Sequence, residues 1–238
     1  MTYKEIYDIA MPEKKRKEER WNLWVTIAVR PLSILLTVPL TNTKVKPTTI
    51  TKWSVLANLI GFFMVAFAQN LTMSIIGWLF FFIWAILDGV DGNLARSTNQ
   101  CSPMGDLWDT MGGYAAMVLI YFSASIAGYF DDCVFMLFDN FWSLILGGAT
   151  AIMSIFPRLV MHKKKSSIMG DKAVKAISDK QNFSISKIAA MNLVSPSGFM
   201  QVIFLIAILF HVLNIFTIFY FIVNLGIMTI SLRSLLKE

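Results

Sequence analysis

The chain is 238 residues long, with 56% hydrophobic and only 15% charged residues. A soluble domain of this length carries about 25% charged residues, so the composition excludes an ordinary soluble domain and indicates a polytopic membrane protein. The net charge of +6 does not indicate nucleic acid as a partner, because the basic residues flank long apolar runs, as in membrane proteins. The two cysteines, Cys101 and Cys133, predict neither a disulfide framework nor a metal site.

Residues 1–42 form a polar N-terminal arm that we expect to be cytosolic or to lie at the membrane interface. The arm holds the charged run 13–20 and lacks the apolar segment of a signal peptide. Trp21 and Trp24 favour the headgroup level of a bilayer. The apolar stretch Pro31–Leu40 is too short to span about 30 Å of hydrocarbon at a rise of about 1.5 Å per residue. We therefore expect this stretch to be interfacial or re-entrant.

Apolar runs in residues 43–238 predict six transmembrane helices. They lie at residues 49–69, 72–92, 107–127, 141–161, 199–213 and 215–232. Long apolar runs that alternate with short charged segments are typical of a multi-spanning protein. The predicted fold is therefore an all-α, polytopic bundle of six transmembrane helices, preceded by an interfacial or cytosolic N-terminal helix.

The basic residues that flank these spans predict their orientation. They occur before span one, after spans two and four, in the loop 162–198 and at the C-terminus, whereas the opposite connections hold none. The group comprises Lys44, Lys46, Lys52, Arg96, Lys163–Lys165, Lys172, Lys175, Lys180, Lys187, Arg233 and Lys237. The positive-inside rule then predicts that both termini face the cytoplasm, and the expected location is the cell (inner) membrane.

Three aspartates stand at the predicted cytoplasmic ends of spans two and three. Asp88 and Asp91 are three residues apart and so share one face of a helix. A carboxylate at the centre of a transmembrane helix costs roughly 3 kcal/mol, and a hard divalent cation such as Mg²⁺ would offset this cost. Alternatively, both aspartates are charges at a helix end in the aqueous interface. Asp109 opens span three on the same side. We therefore expect the three carboxylates to converge.

The residues around these aspartates resemble the motif of the CDP-alcohol phosphatidyltransferase family. The matching string is Asp88-x2-Asp91-Gly92-x2-Ala95-Arg96-x8-Gly105-x3-Asp109. The six-span layout, the N-terminal arm and the segment 46–51 before span one are also similar to this family. The resemblance thus extends over most of the chain, and its specificity is concentrated in residues 88–109.

The resemblance implies a role for each motif position. Mg²⁺ or Mn²⁺ would be bound by Asp88, Asp91 and Asp109. The nucleotide would be bound by Asp88, Gly92, Ala95, Arg96 and Thr51, with Gly92 allowing it to approach the backbone. The implied partners are a CDP-linked alcohol, an alcohol acceptor and membrane lipid, and the implied reaction releases CMP and forms a phosphodiester.

One motif position departs from the family pattern. A fourth aspartate, the family's candidate general base, is expected four residues after Asp109, where this chain has Gly113. Three explanations stay open. Another carboxylate takes the role, with Asp106 the nearest, so Asp109 and Asp106 are the catalytic candidates. The acceptor needs little base assistance or brings its own base. Or the protein is inactive.

The acceptor and the overall function are less determined by the sequence. Arg158, near the cytoplasmic end of span four, is the candidate for binding an anionic acceptor, as the resemblance implies. Lys163–Lys165 are expected to be positive-inside anchors or contacts to anionic lipid headgroups. The leading hypothesis is a transferase. The alternative is a catalytically impaired protein of the same fold that binds nucleotide and metal. A transporter fits poorly, because its polar residues would lie near the bilayer midplane. Homodimerisation through span six is left open.

Overall fold

The computed structural model describes residues 1–19, 21–130, 140–167 and 192–236. This part of the chain is helical and contains no strand, which confirms the predicted all-α fold. The helices are α1 (Tyr3–Ala10), α2 (Glu13–Glu19), α3 (Arg30–Leu40), α4 (Pro47–Ala66), α5 (Leu71–Ser97), α6 (Pro103–Phe130), α7 (Asn140–Ser167), α8 (Met200–Leu209) and α9 (Leu213–Leu235). A π-helical turn, Val25–Val29, leads into α3.

Five of the described helices are long and apolar enough to cross a membrane: α4, α5, α6, α9 and the part of α7 from Phe141 to Lys164. The fifth predicted span corresponds to α8, which has only ten residues and a length of about 15 Å. That is roughly half of the hydrocarbon thickness. The structure therefore shows a multi-spanning helix bundle but does not confirm the count of six spans.

Buried polar groups fix the short helix α8 against α5. The Gln201 side chain is fully buried and donates to the Phe81 carbonyl at 3.1 Å. The Trp78 indole donates to the Gln201 carbonyl at 2.8 Å. Phe204 packs between Phe81 and Phe216, with ring centroids 6.2 Å and 5.2 Å away. Helix α8 is thus part of the core, to which α4, α5, α6, α7 and α9 also contribute.

The N-terminal arm folds back onto the end of the bundle where α5 ends. Helix α1 begins with a capping box between Thr2 and Glu5 and buries Ile6 completely, and it contacts α3 and α5. A Cβ on Gly89 would lie 2.8 Å from the Cβ of Ser33. The glycine therefore lets α3 lie directly against α5.

A short turn joins α5 to α6 at the same end of the bundle. Asn99 adopts a left-handed conformation with φ 55°, and the amide of Gln100 donates to the Ala95 carbonyl at 2.8 Å. This is the hydrogen-bond pattern of a helix C-terminus that asparagine tolerates. Ser102 caps α6, because its hydroxyl accepts from the amide of Gly105 at 3.0 Å. Both helices thus extend past the predicted spans, and the motif lies on their terminal turns.

Two predicted connections lie outside the described residues. They are 131–139, with the acidic pair and Cys133, and 168–191, with four lysines of the loop 162–198. The predictions made for them stay predictions.

Candidate active site

A cavity of about 1080 Å³ opens where α5 ends and α6 begins; we call it the large cavity. The arm, α4, α5, α6 and one residue of α7 contribute to its wall. The sequence-predicted site residues that line it are Thr51, Asp88, Asp91, Gly92, Ala95, Arg96, Asp106, Asp109 and Arg158. Residues from four helices, separated by up to 107 positions in the chain, are thus brought to one cavity.

Two of the three motif aspartates face each other across the α5–α6 boundary. The carboxyl groups of Asp88 and Asp109 lie within hydrogen-bonding range of one another. Asp91 is only 4% exposed and accepts a hydrogen bond of 2.6 Å from the hydroxyl of Thr51 on α4. Like charges this close repel each other strongly, so a cation beside the Asp88–Asp109 pair would stabilise it.

The side chains of Asp88, Asp91 and Asp109 are chemically suited to a hard divalent cation, because each offers carboxylate oxygens. Among the described residues, however, no group of three or more His, Cys, Asp and Glu side chains is arranged so that it could hold a metal ion. Asp91 is instead hydrogen-bonded to Thr51. A cation site would therefore be centred on the Asp88–Asp109 pair. Coordination of a metal by Asp88, Asp91 and Asp109 together stays a prediction.

Arg96 covers Gly92 within the large cavity. A Cβ on Gly92 would lie 3.1 Å from one terminal nitrogen of the Arg96 guanidinium and 3.2 Å from the other. The same guanidinium donates to the Asn93 side-chain oxygen at 3.2 Å. The nearest neighbour of the bare Gly92 backbone is thus the motif arginine, and the predicted contact with a nucleotide stays a prediction.

The arm contributes two further cations that the sequence did not single out. Arg30 forms a two-pronged ion pair with Glu19, with distances of 2.6 Å and 2.9 Å, and donates to Asn93 at 3.3 Å. Lys15 lies 3.6 Å from Glu19. Burial, together with the nearby Arg96 and Arg30, lowers the pKa of Lys15 from 10.5 to about 8.

These contacts gather three cations around Glu19 and Asn93. Lys15, Arg30 and Arg96 all line the large cavity, and Asn93, which is fully buried, holds both arginines. Arg96 and Asn93 lie within the motif segment, whereas Lys15 and Arg30 belong to the arm, so periodicity and spacing could not reveal that the arm approaches the motif. The large cavity is thus lined by three cations as well as by Glu19 and the aspartates, and the cations suit a phosphate-bearing ligand.

The arm is also tied to the segment that precedes α8. The side chain of Asn22 donates to the Ser195 hydroxyl at 3.5 Å, and the amide of Leu23 donates to the side chain of Asn192 at 3.0 Å. Asn192 in turn donates to the carbonyl of Trp21. Segment 195–198 forms a turn closed by a hydrogen bond of 2.8 Å, and Ser197 lines the large cavity.

A second cavity, of about 440 Å³, adjoins the first between α6 and α7; we call it the small cavity. Its lining residues are Trp84, Asp88, Asp109, Thr110, Gly113, Tyr114, Arg158, Met161, His162 and Ser195–Ser197. Four residues line both cavities: Asp88, Asp109, Arg158 and Ser197. The carboxylate pair and the predicted acceptor-binding arginine thus stand at the junction, whereas Asp106 lines only the large cavity.

The position of the missing fourth aspartate is open space in the small cavity. A Cβ on Gly113 would have no other atom within 4 Å. The ring of His162 lies edge-on to that of Tyr114, with 6.3 Å between their centroids. The Trp84 indole N–H and the Tyr114 hydroxyl are buried and have no hydrogen-bond partner among the described residues. The cavity therefore offers donors that a polar ligand could use.

Comparison with known proteins bears on the same residues. Residues 44–230 match the CDP-alcohol phosphatidyltransferase family. No curated protein matches the chain closely enough to count as a relative. The matched range covers most of the chain. It contains all three motif aspartates and every residue that lines the small cavity. The N-terminal arm lies before it. The chain belongs to the CDP-alcohol phosphatidyltransferase family.

Proposed function

We propose that this protein transfers a substituted phosphoryl group from a CDP-linked alcohol to an acceptor alcohol and releases CMP. Membership of the family supports phosphoryl transfer from a CDP-alcohol donor. The donor is CDP-diacylglycerol or a soluble CDP-alcohol, and the product belongs to phospholipid or related phosphodiester synthesis. The reaction needs two binding sites that meet at one phosphorus atom.

The junction of the two cavities is the observation that carries the proposal. Asp88 and Asp109 line both cavities, so a phosphorus atom beside them is reachable from either side. The large cavity, with Lys15, Arg30 and Arg96, has the volume and charge for the cytidine diphosphate part of the donor. The small cavity, with Arg158 in its wall, then receives the acceptor. Fixing both reactants beside one point supplies much of the catalytic effect.

The chain's own residues perform most of the work in this scheme. The guanidinium groups of Arg96 and Arg30 and the ammonium of Lys15 offset the negative charge of the diphosphate. The acceptor oxygen attacks the phosphorus that carries the alcohol, and the bond between that phosphorus and the oxygen of CMP breaks, so CMP leaves with the electron pair. A bound Mg²⁺ or Mn²⁺ at Asp88 and Asp109 would neutralise charge on the transferring group.

The same proposal covers orientation and location. Lysines and arginines lie at the cavity end of the bundle, at the start of α4 and the ends of α5, α7 and α9. The positive-inside rule favours the cytoplasmic side for these residues. The large cavity would then open to the cytoplasm, where soluble CDP-alcohols and CMP are found, in a cell (inner) membrane.

CMP release by the purified, lipid-reconstituted protein tests the proposal. We expect release with Mg²⁺ or Mn²⁺ when the donor is CDP-diacylglycerol or CDP-glycerol and the acceptors are serine, glycerol 3-phosphate and myo-inositol. Asp109→Asn should lower the rate by at least about 100-fold, the range observed when one transition-state contact is removed. Asp8→Asn, on the exposed part of α1, is the matched control and should leave the rate unchanged. Equal rates in the two variants would refute the assignment.

A second candidate function is binding of nucleotide and metal without turnover. The observation that favours it is Gly113, because the motif lacks a carboxylate at that position. It predicts that CDP raises the thermal unfolding temperature while no donor yields CMP. The Gly113→Asp variant would then be active if the glycine is the only lesion.

A further inference from the structure

The transfer reaction requires a group that removes the acceptor's hydroxyl proton, and the described aspartates are poorly placed for this. Asp88 and Asp109 lie against each other and form the proposed cation site. Asp91 is buried and hydrogen-bonded to Thr51. Asp106 lines the large cavity but not the small one. The proton acceptor should therefore be sought among the other residues of the small cavity.

We propose that His162 is this base: its imidazole takes the proton from the acceptor hydroxyl in the small cavity. The proposal rests on the proposed transferase function. His162 lies four residues after Arg158 on α7, so both side chains are on one face of the helix, and both line the small cavity. Apart from His162 and the two aspartates, the ionisable side chains described in the small cavity are those of Tyr114 and Arg158. A phenol and a guanidinium are both protonated at neutral pH, so neither can take up the proton.

The imidazole and the space beside Gly113 belong to the same cavity wall. Its ring lies edge-on to that of Tyr114, with 6.3 Å between centroids, and Tyr114 follows Gly113 directly on α6. Because a Cβ on Gly113 would meet no other atom within 4 Å, there is free space beside Gly113 in the small cavity, which His162 also lines. An acceptor could occupy it, with the unpartnered N–H of Trp84 and hydroxyl of Tyr114 as donors to its oxygen atoms.

The proposed step is balanced in protons and electrons. The acceptor O–H transfers its proton to a nitrogen of His162, and the oxygen forms the new bond to phosphorus. The bond from phosphorus to CMP breaks, and the CMP oxygen keeps the electron pair. The imidazolium then returns its proton to water, because the small cavity is open. Arg158, one turn away, would bind an anionic group of the acceptor.

The chain offers a matched control for the test, since His211 is its only other histidine and lies in the turn between α8 and α9. We expect His162→Asn to lower the rate of CMP release about 10²- to 10⁴-fold, the usual contribution of a general base. His211→Asn should retain the parent rate; asparagine suits its left-handed backbone, φ 52°. The rise in unfolding temperature with CDP should be the same in both variants.

Two rescues separate a base from a structural residue. Added imidazole should restore CMP release to His162→Ala, and Gly113→Asp should restore it to His162→Asn by placing a carboxylate in the same cavity. A rate of His162→Asn within about threefold of His211→Asn would overturn the inference and leave the proposed function standing. Loss of rate without either rescue would also overturn it. An inactive parent chain would overturn the proposed function itself.

Discussion

Replacing Lys15 by methionine should stabilise the protein in the absence of nucleotide at neutral pH. Lys15 is largely buried, and Arg30 and Arg96 are nearby; Glu19, its partner at 3.6 Å, also binds Arg30. These surroundings lower the pKa of Lys15 to about 8. Because this folded-state pKa lies below the value of 10.5 for the free side chain, the unfolded chain binds more protons between these two pH values. Stability should therefore rise with pH from about 8 to 10.5, and the full destabilisation is present below about pH 8.

The fall in pKa from 10.5 to about 8 corresponds to about 3 kcal/mol at 1.36 kcal/mol per pH unit. The Lys15 side chain is still 29% exposed, so solvent screening reduces this to about 2 kcal/mol. Methionine keeps the apolar stem and removes the charge. For a chain of this size, such a gain would raise the unfolding temperature by about 4–8 °C.

The assay is thermal unfolding of the lipid-reconstituted protein at pH 7 and pH 10, with and without saturating CDP. Lys15→Met should unfold at a higher temperature than the parent at pH 7, and the difference should shrink at pH 10. Lys4→Met, an exposed lysine of the same arm, should behave like the parent. With CDP the difference at pH 7 should fall or reverse, because in the proposed function the diphosphate would pair with Lys15. A lower unfolding temperature for Lys15→Met at pH 7, or a difference independent of pH, would contradict the reasoning.

Two further predictions concern helix contacts. Thr51→Val removes the hydroxyl that donates to the buried Asp91 at 2.6 Å. This change should lower the free energy of unfolding by about 1–3 kcal/mol and slow CMP release. Thr51→Ser should retain the stability and the rate of the parent. Gly147→Ala would put a Cβ 2.0 Å from the Cβ of Ser125 and should cost about 1–3 kcal/mol by overpacking α6 against α7. Gly148→Ala, which meets no atom within 4 Å, should be neutral, and equal unfolding temperatures for the two alanine variants would disprove the contact.

The part of the site that could be predicted from the sequence is the part that is local in the chain. Residues 88–109 span two helix ends and one turn, so helical periodicity already indicates that Asp88, Asp91 and Asp109 lie at the same end of the bundle. Apolar runs likewise located α4, α5, α6, α7 and α9. Helix ends were less predictable, because hydropathy falls at the membrane boundary while the helix continues to its cap.

Contacts between distant parts of the chain could not be predicted in this way. The hydrogen bond between Arg30 and Asn93 joins residues 63 positions apart, and no local pattern indicates it. The small cavity depends on how α6 packs against α7. The length of α8 was overestimated, because apolar residues outside a helix still count toward an apolar run. Its ten helical residues are held by the Gln201 side chain in the core.

Gly113 differs from the tightly packed glycines of the bundle in what surrounds it. A Cβ on Gly147 or Gly89 would lie less than 3 Å from a neighbouring side chain, so helix packing accounts for those two. Gly112 faces Val55 of α4 at an ordinary 3.4 Å. Gly113 meets nothing within 4 Å, so packing does not require glycine there. The absent side chain instead enlarges the small cavity, which Asp88 and Asp109 also line. Restoring the motif aspartate should therefore leave the fold unchanged and reduce the space available to the acceptor, so that bulky acceptors lose activity before small ones do.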